Sequence, residues 1–317
     1  MAIDTAYLTD SDFLQKTYEA VMAELRAFIH YRTDLREFFF KHCELQREVF
    51  KEPLSDDFLN YLKGSLCFFS YIPRDVLYWG SRFLDVGFGE GRMLMVLQTL
   101  YGMRGYGVDK YTFSETARFP IQKTIYTALL AQGASCISPY DIEKEHLPYP
   151  DETFSLVLFQ QVIEHLHNSP KLIVDEITRT MRKGGVLVLD TPNHAFWLNR
   201  IKLLKGETVH WDLEKYYNYE FSSGHSYLGD YFGHTREFTT PELVAILEYA
   251  GLKVETAVST SYVPAAQGKH LRSHFLTEMA KALKEALDVD VTFKNTGHEN
   301  YGKDNLLPTS LLVARKP

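Results

Sequence analysis

Cysteine is scarce in this chain: Cys43, Cys67 and Cys136 are the only three in 317 residues. No CxxC pair occurs among them, which excludes the common zinc and dithiol frameworks and points to isolated thiols in a reducing compartment. Positive charge is also in deficit. With 34 Lys and Arg against 41 Asp and Glu, the formal charge is −7, so no overall field draws the chain to nucleic acid or to an anionic membrane. Long apolar runs are missing as well. None approaches the roughly 20 residues that span a bilayer, and Asp4, Asp10, Asp12, Glu19 and Glu24 interrupt what would be a signal-peptide core. The expectation is a cytoplasmic protein. Internal repeats and low-complexity tracts are absent, and the 45% hydrophobic content is that of a globular chain. A chain this long can bury one large core with appendages.

What is present changes character along the sequence. From Ser11 to about Tyr78, the spacing of Phe13, Leu14, Val21, Leu25 and Phe28, then of Leu59, Leu62 and Leu66, fits amphipathic helices. Residues 1–80 are therefore expected to form a helical extension, with Pro53 and Pro73 dividing its pieces. At Arg82 the pattern switches. The apolar run Phe83-Leu84-Asp85-Val86 meets Gly87-Phe88-Gly89-Glu90-Gly91, and a helical stretch opens near Arg92. That is strand, tight turn, helix.

The alternation then repeats, with strands expected at Gly105 to Val108, Ala134 to Ser138, Phe154 to Phe159 and Val186 to Leu189. A helix from Pro170 to Met181 and a Gly184-Gly185 turn precede the last of these. Apolar strands separated by helices predict an α/β, doubly wound, Rossmann-like sheet covered on both faces. Right-handed crossovers place the strand C-termini along one rim, where a ligand sits. Residues 81–317 are read as this domain.

Between Thr191 and Phe238 the alternation stops. Trp197, Trp211, Tyr216, Tyr217, Tyr219, Tyr227 and Tyr231 lie there among His210, His225 and His234. Residues 193–238 are read as an inserted substrate lid, its tyrosines serving as a saccharide-stacking wall or as plain lid packing. Pro241 to Ala250 resumes as a helix capped by Thr239 or Thr240 and stopped at Gly251. A strand over Leu252 to Val258, a helix over Ser273 to Leu287 and the run Leu311 to Ala314 complete the pattern.

The glycine turn alone says little, because such turns cradle many nucleotides. Its neighbours are more informative. A pyrophosphate would sit on the helix N-terminus, yet Asp85 at the strand end opposes a phosphate there. S-adenosylmethionine (SAM) carries an ammonium, a carboxylate and a sulfonium and no phosphate, so an acid beside the turn suits it. Asp109 ends the second strand, where it can accept both ribose hydroxyls. Asp141 follows the third, within reach of an adenine amino group. The competing reading makes Asp85 and Asp141 caps and Asp109 a solvated loop acid. Three acids at three successive strand ends favour the cofactor.

With these residues in view, the stretches DVGFGEGR, GYGVDK, PYDIEKEHLPYPDETFSLVLFQQVIEHL and MRKGGVLVLDTPN resemble the class I SAM-dependent methyltransferases, from about Ser81 to Leu252. The resemblance implies a seven-stranded sheet whose last strand, Leu311 to Ala314, is antiparallel. It also implies SAM contacts at Asp85, Gly87, Gly89, Asp109, Asp141 and Gln160. TPNHAFWLNRIKLLKG and GHTREFTTPEL resemble, more loosely, O-methyltransferases of polysaccharide, glycolipid and quinone pathways. This implies a hydroxyl acceptor on a sugar-containing or polyol metabolite.

A hydroxyl needs a base or a metal to take its proton. Gln161-Val162-Ile163-Glu164-His165 follows the fourth strand, and its spacing places Gln161, Glu164 and His165 on the first turns of a helix. Some O-methyltransferases carry a similar E-x-x-E-H run with a downstream histidine holding magnesium; here Gln161 stands in place of the first acid. The expected metal set is Glu164, His165 and His234, holding Mg2+, and the same three are the catalytic candidates, with His165 or His234 as a simple base in the metal-free version. His194, His210 and His225 are read as ordinary polar residues, while Arg236 either binds an acidic substrate group or orients the lid.

Two alternatives stay open: methylation of an aromatic or amino-acid-like acceptor at N or O, and a SAM-binding scaffold without chemistry. The partner expected is a small molecule, a saccharide by resemblance, with nucleic acid and membrane disfavoured and a homo-oligomer left open.

Overall fold

The computed structural model describes residues 71–89, 91–110, 133–210, 233–260, 271–287 and 309–317. The helical extension expected over residues 1–80 therefore lies almost wholly outside the described residues. Of it, only a short 3-10 turn at Arg74–Val76 appears, tied to the far end of the domain by Arg315 Nη1 on Asp75 Oδ2 at 3.0 Å.

Seven strands form one sheet: β1 (Arg82–Val86), β2 (Arg104–Val108), β3 (Ser135–Ile137), β4 (Phe154–Gln160), β5 (Met181–Pro192), β6 (Lys253–Thr260) and β7 (Thr309–Arg315). Their order is β3-β2-β1-β4-β5-β7-β6. The first five pair in parallel, and β7 runs antiparallel to both its neighbours. The expected doubly wound sheet with an antiparallel final strand is what forms. Its central strands are buried on both faces: Phe83, Leu84 and Val86, Leu156 to Phe159, Val186 to Leu189 and Leu311 to Ala314 are all essentially inaccessible. A parallel sheet covered by helices requires such unbroken apolar runs.

The described helices are α1 (Arg92–Tyr101), α2 (Lys171–Thr180), α3 (Trp197–Leu204), α4 (Thr240–Tyr249) and α5 (Leu271–Leu287). α2 turns Ile173, Val174 and Ile177 into the core. α4 begins at a full capping box, in which Thr239 Oγ1 accepts from Glu242 N and the Glu242 carboxylate accepts from Thr239 N. It stops before Gly251, whose φ of +81° suits a residue without Cβ. No described helix is long and apolar enough to cross a membrane.

Two local expectations need correction. The Gly184-Gly185 pair does not form a turn ahead of β5; it lies inside that strand. Met181 pairs with Phe154 and Val186 with Leu156, so the extra residues are taken up as an irregularity. A Cβ on Gly185 would come within 3.0 Å of Phe154 O and 2.8 Å of Arg182 O, which explains the glycine there. The E-H run is also not α-helical. Ile163–His165 forms one 3-10 turn, extended backbone follows at Leu166, and α2 opens only at Lys171.

Strand order reverses between β1 and β4. In open α/β sheets this is where ligands bind.

Candidate active site

A cavity of about 210 Å³ occupies that position, lined among others by Gly87, Gly89, Asp109, Asp141, Gln161 and His165. One of its walls is the glycine turn. Gly87 N donates to Val108 O at 2.8 Å, and Gly89 N donates to Asp109 Oδ2 at 2.8 Å. Both glycines have positive φ, and a Cβ on Gly87 would meet Val162 Cγ2 at 2.4 Å. Glycine is required at that position by the approach of the β4 exit as well as by its backbone angle.

Asp109 is 7% exposed, so it is no solvated loop acid. Its backbone carbonyl accepts from Tyr140 N at 2.7 Å, which joins the ends of β2 and β3. Asp141 is engaged on both oxygens, accepting from Glu143 N at 3.1 Å and pairing with Lys144 Nζ at 2.9 Å. Burial would raise its carboxyl, but the bonds from Lys144 and Glu143, with the Lys110 charge, hold it below the usual range. It caps a turn and lines the cavity at once.

Four of the six residues expected at the cofactor, Gly87, Gly89, Asp109 and Asp141, line this cavity, whereas Asp85 and Gln160 do not. Asp85 is buried within β1, and Gln160 is half-buried at the end of β4. Sequence reasoning missed Lys110, Ile142, Glu143, Val162, Leu166 and His167. Position directly after the acids of β2 and β3 was the available signal for Lys110 and Ile142. Glu143 and His167 meet only in three dimensions, where Glu143 Oε1 accepts from His167 N and Asn168 N, each at 2.7 Å.

The acceptor candidates assemble at the β4 exit. Gln161, at φ 54°, is fastened to β5 through N to Asp190 O and Nε2 to Asp190 Oδ2, both at 2.8 Å. A non-glycine residue at positive φ is strained and persists only where its surroundings hold it, as the two Asp190 bonds do here. Glu164 is fully buried. Its Oε2 accepts from Thr191 Oγ1 at 2.8 Å, while Oε1 meets no hydrogen-bond donor. Burial pushes its carboxyl up to about 7, partly offset by the Thr191 bond and by His234.

His165 Nδ1 lies 3.2 Å from Gly233 O, and its Nε2 lies 3.9 Å from Glu164 Oε1. A carbonyl only accepts, so the Nδ1 proton is donated there and the lone pair of Nε2 faces the carboxylate. The His234 ring stands edge-on to that of His165, centroids 5.0 Å apart. Glu164, His165 and His234 bring one donor atom each to within 4.8 Å of one another. The three residues expected together are together.

The segment carrying His234 is held by the turn itself, since Glu164 O accepts from Thr235 N at 2.7 Å and from Arg236 N at 3.3 Å. Farther along, Asn193 and Phe238 form a parallel bridge. Arg236 pairs with Glu242 at 3.0 Å and lies over the Phe238 ring. His194 and His210 stand outside the three-residue group, with ring centroids 6.4 Å apart. Trp211, the five lid tyrosines and His225 lie outside the described residues.

The donor set, two imidazole nitrogens and the carboxylate of Glu164, whose Oε1 no hydrogen-bond donor reaches, fits a divalent ion of the zinc kind. Magnesium prefers oxygen ligands and fits these residues less well.

Residues 69–227 match the model of a protein family described as "Methionine biosynthesis protein MetW". A curated protein of Mycolicibacterium smegmatis named "Probable S-adenosylmethionine-dependent methyltransferase" is 31% identical over 154 residues, 48% of this chain and 49% of the relative. The chain thus spans about half the length of the curated relative it matches. Among solved structures, an S-adenosylmethionine-dependent methyltransferase from Mesorhizobium loti is similar over 80% of this chain and 98% of its own, with 15% identity and a TM-score of 0.48. The YcgJ protein of Bacillus subtilis is similar over 81% and 98%, with 16% identity and a TM-score of 0.44.

Proposed function

Because the chain belongs to the MetW family, we propose that it binds SAM in the cavity between β1 and β4 and transfers the methyl group to a hydroxyl of a sugar-containing or polyol metabolite. One observation carries this reading: Glu164, His165 and His234 converge at the β4 exit, and His165 also lines the cavity that holds Gly87, Gly89 and Asp109. Donor and acceptor chemistry then share one wall.

In this reading Asp109 accepts the ribose hydroxyls, the bare backbone at Gly87 and Gly89 lets the methionine portion approach, and Asp141 with Ile142 borders the adenine. Gln161, rather than Gln160, reaches the ligand. Methyl transfer is an in-line displacement in which the acceptor oxygen forms a bond to the methyl carbon as the carbon–sulfur bond breaks. Holding the two atoms in line supplies much of the rate. The acceptor proton passes to the lone pair of His165 or His234. Residues 193–238 act as the lid, a role supported by the bonds from Thr235 and Arg236 to Glu164 O.

A second version of the same chemistry has Glu164, His165 and His234 hold a divalent ion, Mg2+ or a zinc-like metal, which would acidify a bound hydroxyl. The orphaned Oε1 of Glu164 favours it. A different acceptor, amino-acid-like rather than a sugar, is favoured by the family's description as a methionine biosynthesis protein.

The test incubates the full chain with methyl-labelled SAM and a metabolite extract, with and without chelator, and identifies the labelled product by mass spectrometry. A methylated sugar or polyol is expected. Label on an amino acid overturns the hydroxyl reading, full turnover in chelator removes the metal version, and SAM binding with no labelled product in any extract favours the scaffold.

A further inference from the structure

Glu237 took no part in the expected site, yet it lies against two of its histidines. Its Oε1 stands 2.8 Å from His234 Nδ1, and its Oε2 stands 3.8 Å from His194 Nδ1. The carboxylate is largely screened from water, at 16% exposure. We propose that Glu237 is the positioning residue of the acceptor site, locking His234 in the Nδ1–H tautomer and in a fixed ring orientation; this rests on the proposed methyl transfer.

Neutral imidazole carries its proton on either nitrogen, and the hydrogen bond made by one decides what the other offers. A carboxylate can only accept, so Nδ1 of His234 is the donor and the lone pair of the neutral ring resides on Nε2. The bond is charge-assisted, short and shielded, which makes it about twice as strong as a neutral one. His165 receives the same treatment from Gly233 O. Both imidazoles are therefore fixed at Nδ1 by acceptors. Had His234 the opposite tautomer, Nε2 would present an N–H, which neither takes a proton nor binds an ion. The arrangement is compact in sequence because His234 and Glu237 belong to one short motif, His-Thr-Arg-Glu.

The test compares Glu237→Ala and Glu237→Gln in the full chain, using 15N-labelled histidine and NMR to read the His234 tautomer, calorimetry for SAM, and labelled product from extract for turnover. In the wild type the Nδ1–H form is expected. Glu237→Ala should move His234 toward the Nε2–H form and lower turnover roughly 10–100-fold, the usual loss when a histidine's orienting partner is removed, with SAM affinity within about two-fold. Glu237→Gln keeps an accepting oxygen and should retain the tautomer and most of the turnover. An unchanged tautomer in Glu237→Ala overturns the proposal, and so does a turnover loss matched by an equal loss of SAM binding. If the wild type methylates nothing, the functional reading fails while the tautomer measurement still decides the part played by Glu237.

Discussion

The two ends of the site are built by different means. At the proposed cofactor end, Gly87, Gly89 and Asp109 are fixed by hydrogen bonds between adjacent strand ends, so position follows from the sheet. At the acceptor end, Glu164 and His165, Thr191, and His234 with Glu237 come from three separate segments and meet only through side-chain bonds and one shared carbonyl. The first end is a property of the fold. The second depends on a few particular residues and can diverge without disturbing the sheet.

Paired substitutions test that division most severely. His165→Ala should lower turnover by about 10²–10⁴, the range for losing a positioned proton acceptor, while calorimetric SAM affinity stays within two-fold. Asp109→Ala should do the reverse, weakening SAM by about 10–100-fold through the loss of charged hydrogen bonds. If each variant impaired both functions equally, the two ends would be one unit.

A smaller effect concerns the contact between them. Gly87→Ala pushes a Cβ against Val162 at a positive φ, and a loss of about 2–4 kcal/mol in denaturant melts is expected from overpacking and backbone strain together. Wild-type stability in this variant would mean that the β4 exit yields.

The smallest effect lies behind the cavity. Arg179 donates twice to Glu176 and also binds Tyr149 O, Leu147 O and Asp151, which pins the loop ahead of β4. The Arg179 bonds hold the Glu176 carboxyl down at about 2 against the effect of burial, with His146 assisting. The unfolded chain binds that proton more readily, near pH 4.3. The contribution of Glu176 is therefore complete above about pH 4.5 and fades as pH falls toward 2. Glu176→Gln should cost about 1–2 kcal/mol at pH 7, with the gap to wild type closing in melts between pH 4 and pH 2. A gap that persists at pH 2 would assign the effect to packing.

Legibility in the sequence follows the same division. The strand-turn-helix at Phe83 to Arg92, the acids after β2 and β3, and the Thr239 cap are encoded by neighbours within a few residues, and each lies where the sequence put it. The misread features depend on distant partners. Gly184-Gly185 looks like a turn until Met181 is seen to pair with Phe154. The E-H run carries helical spacing, but Asp190 draws Gln161 into the left-handed region and Thr191 draws Glu164 into the core, leaving one 3-10 turn. Asp85 was legible as a strand-end acid, yet nothing local said that it would be buried away from the cavity. Glu237 was visible as a letter in the His234 motif, and only the folded geometry shows which atom it faces.

The carbonyl of Glu164 ties the segment that carries His234 to the turn that carries His165. It accepts from Thr235 N and Arg236 N while the same residue's side chain stands in the reactive group. Any displacement of residues 233–238 would break both bonds and carry His234 and the Gly233 acceptor of His165 along together. The place of His234 and the bond that orients the His165 ring therefore depend on one and the same segment, so the geometry of the three-residue group is set as a unit rather than residue by residue.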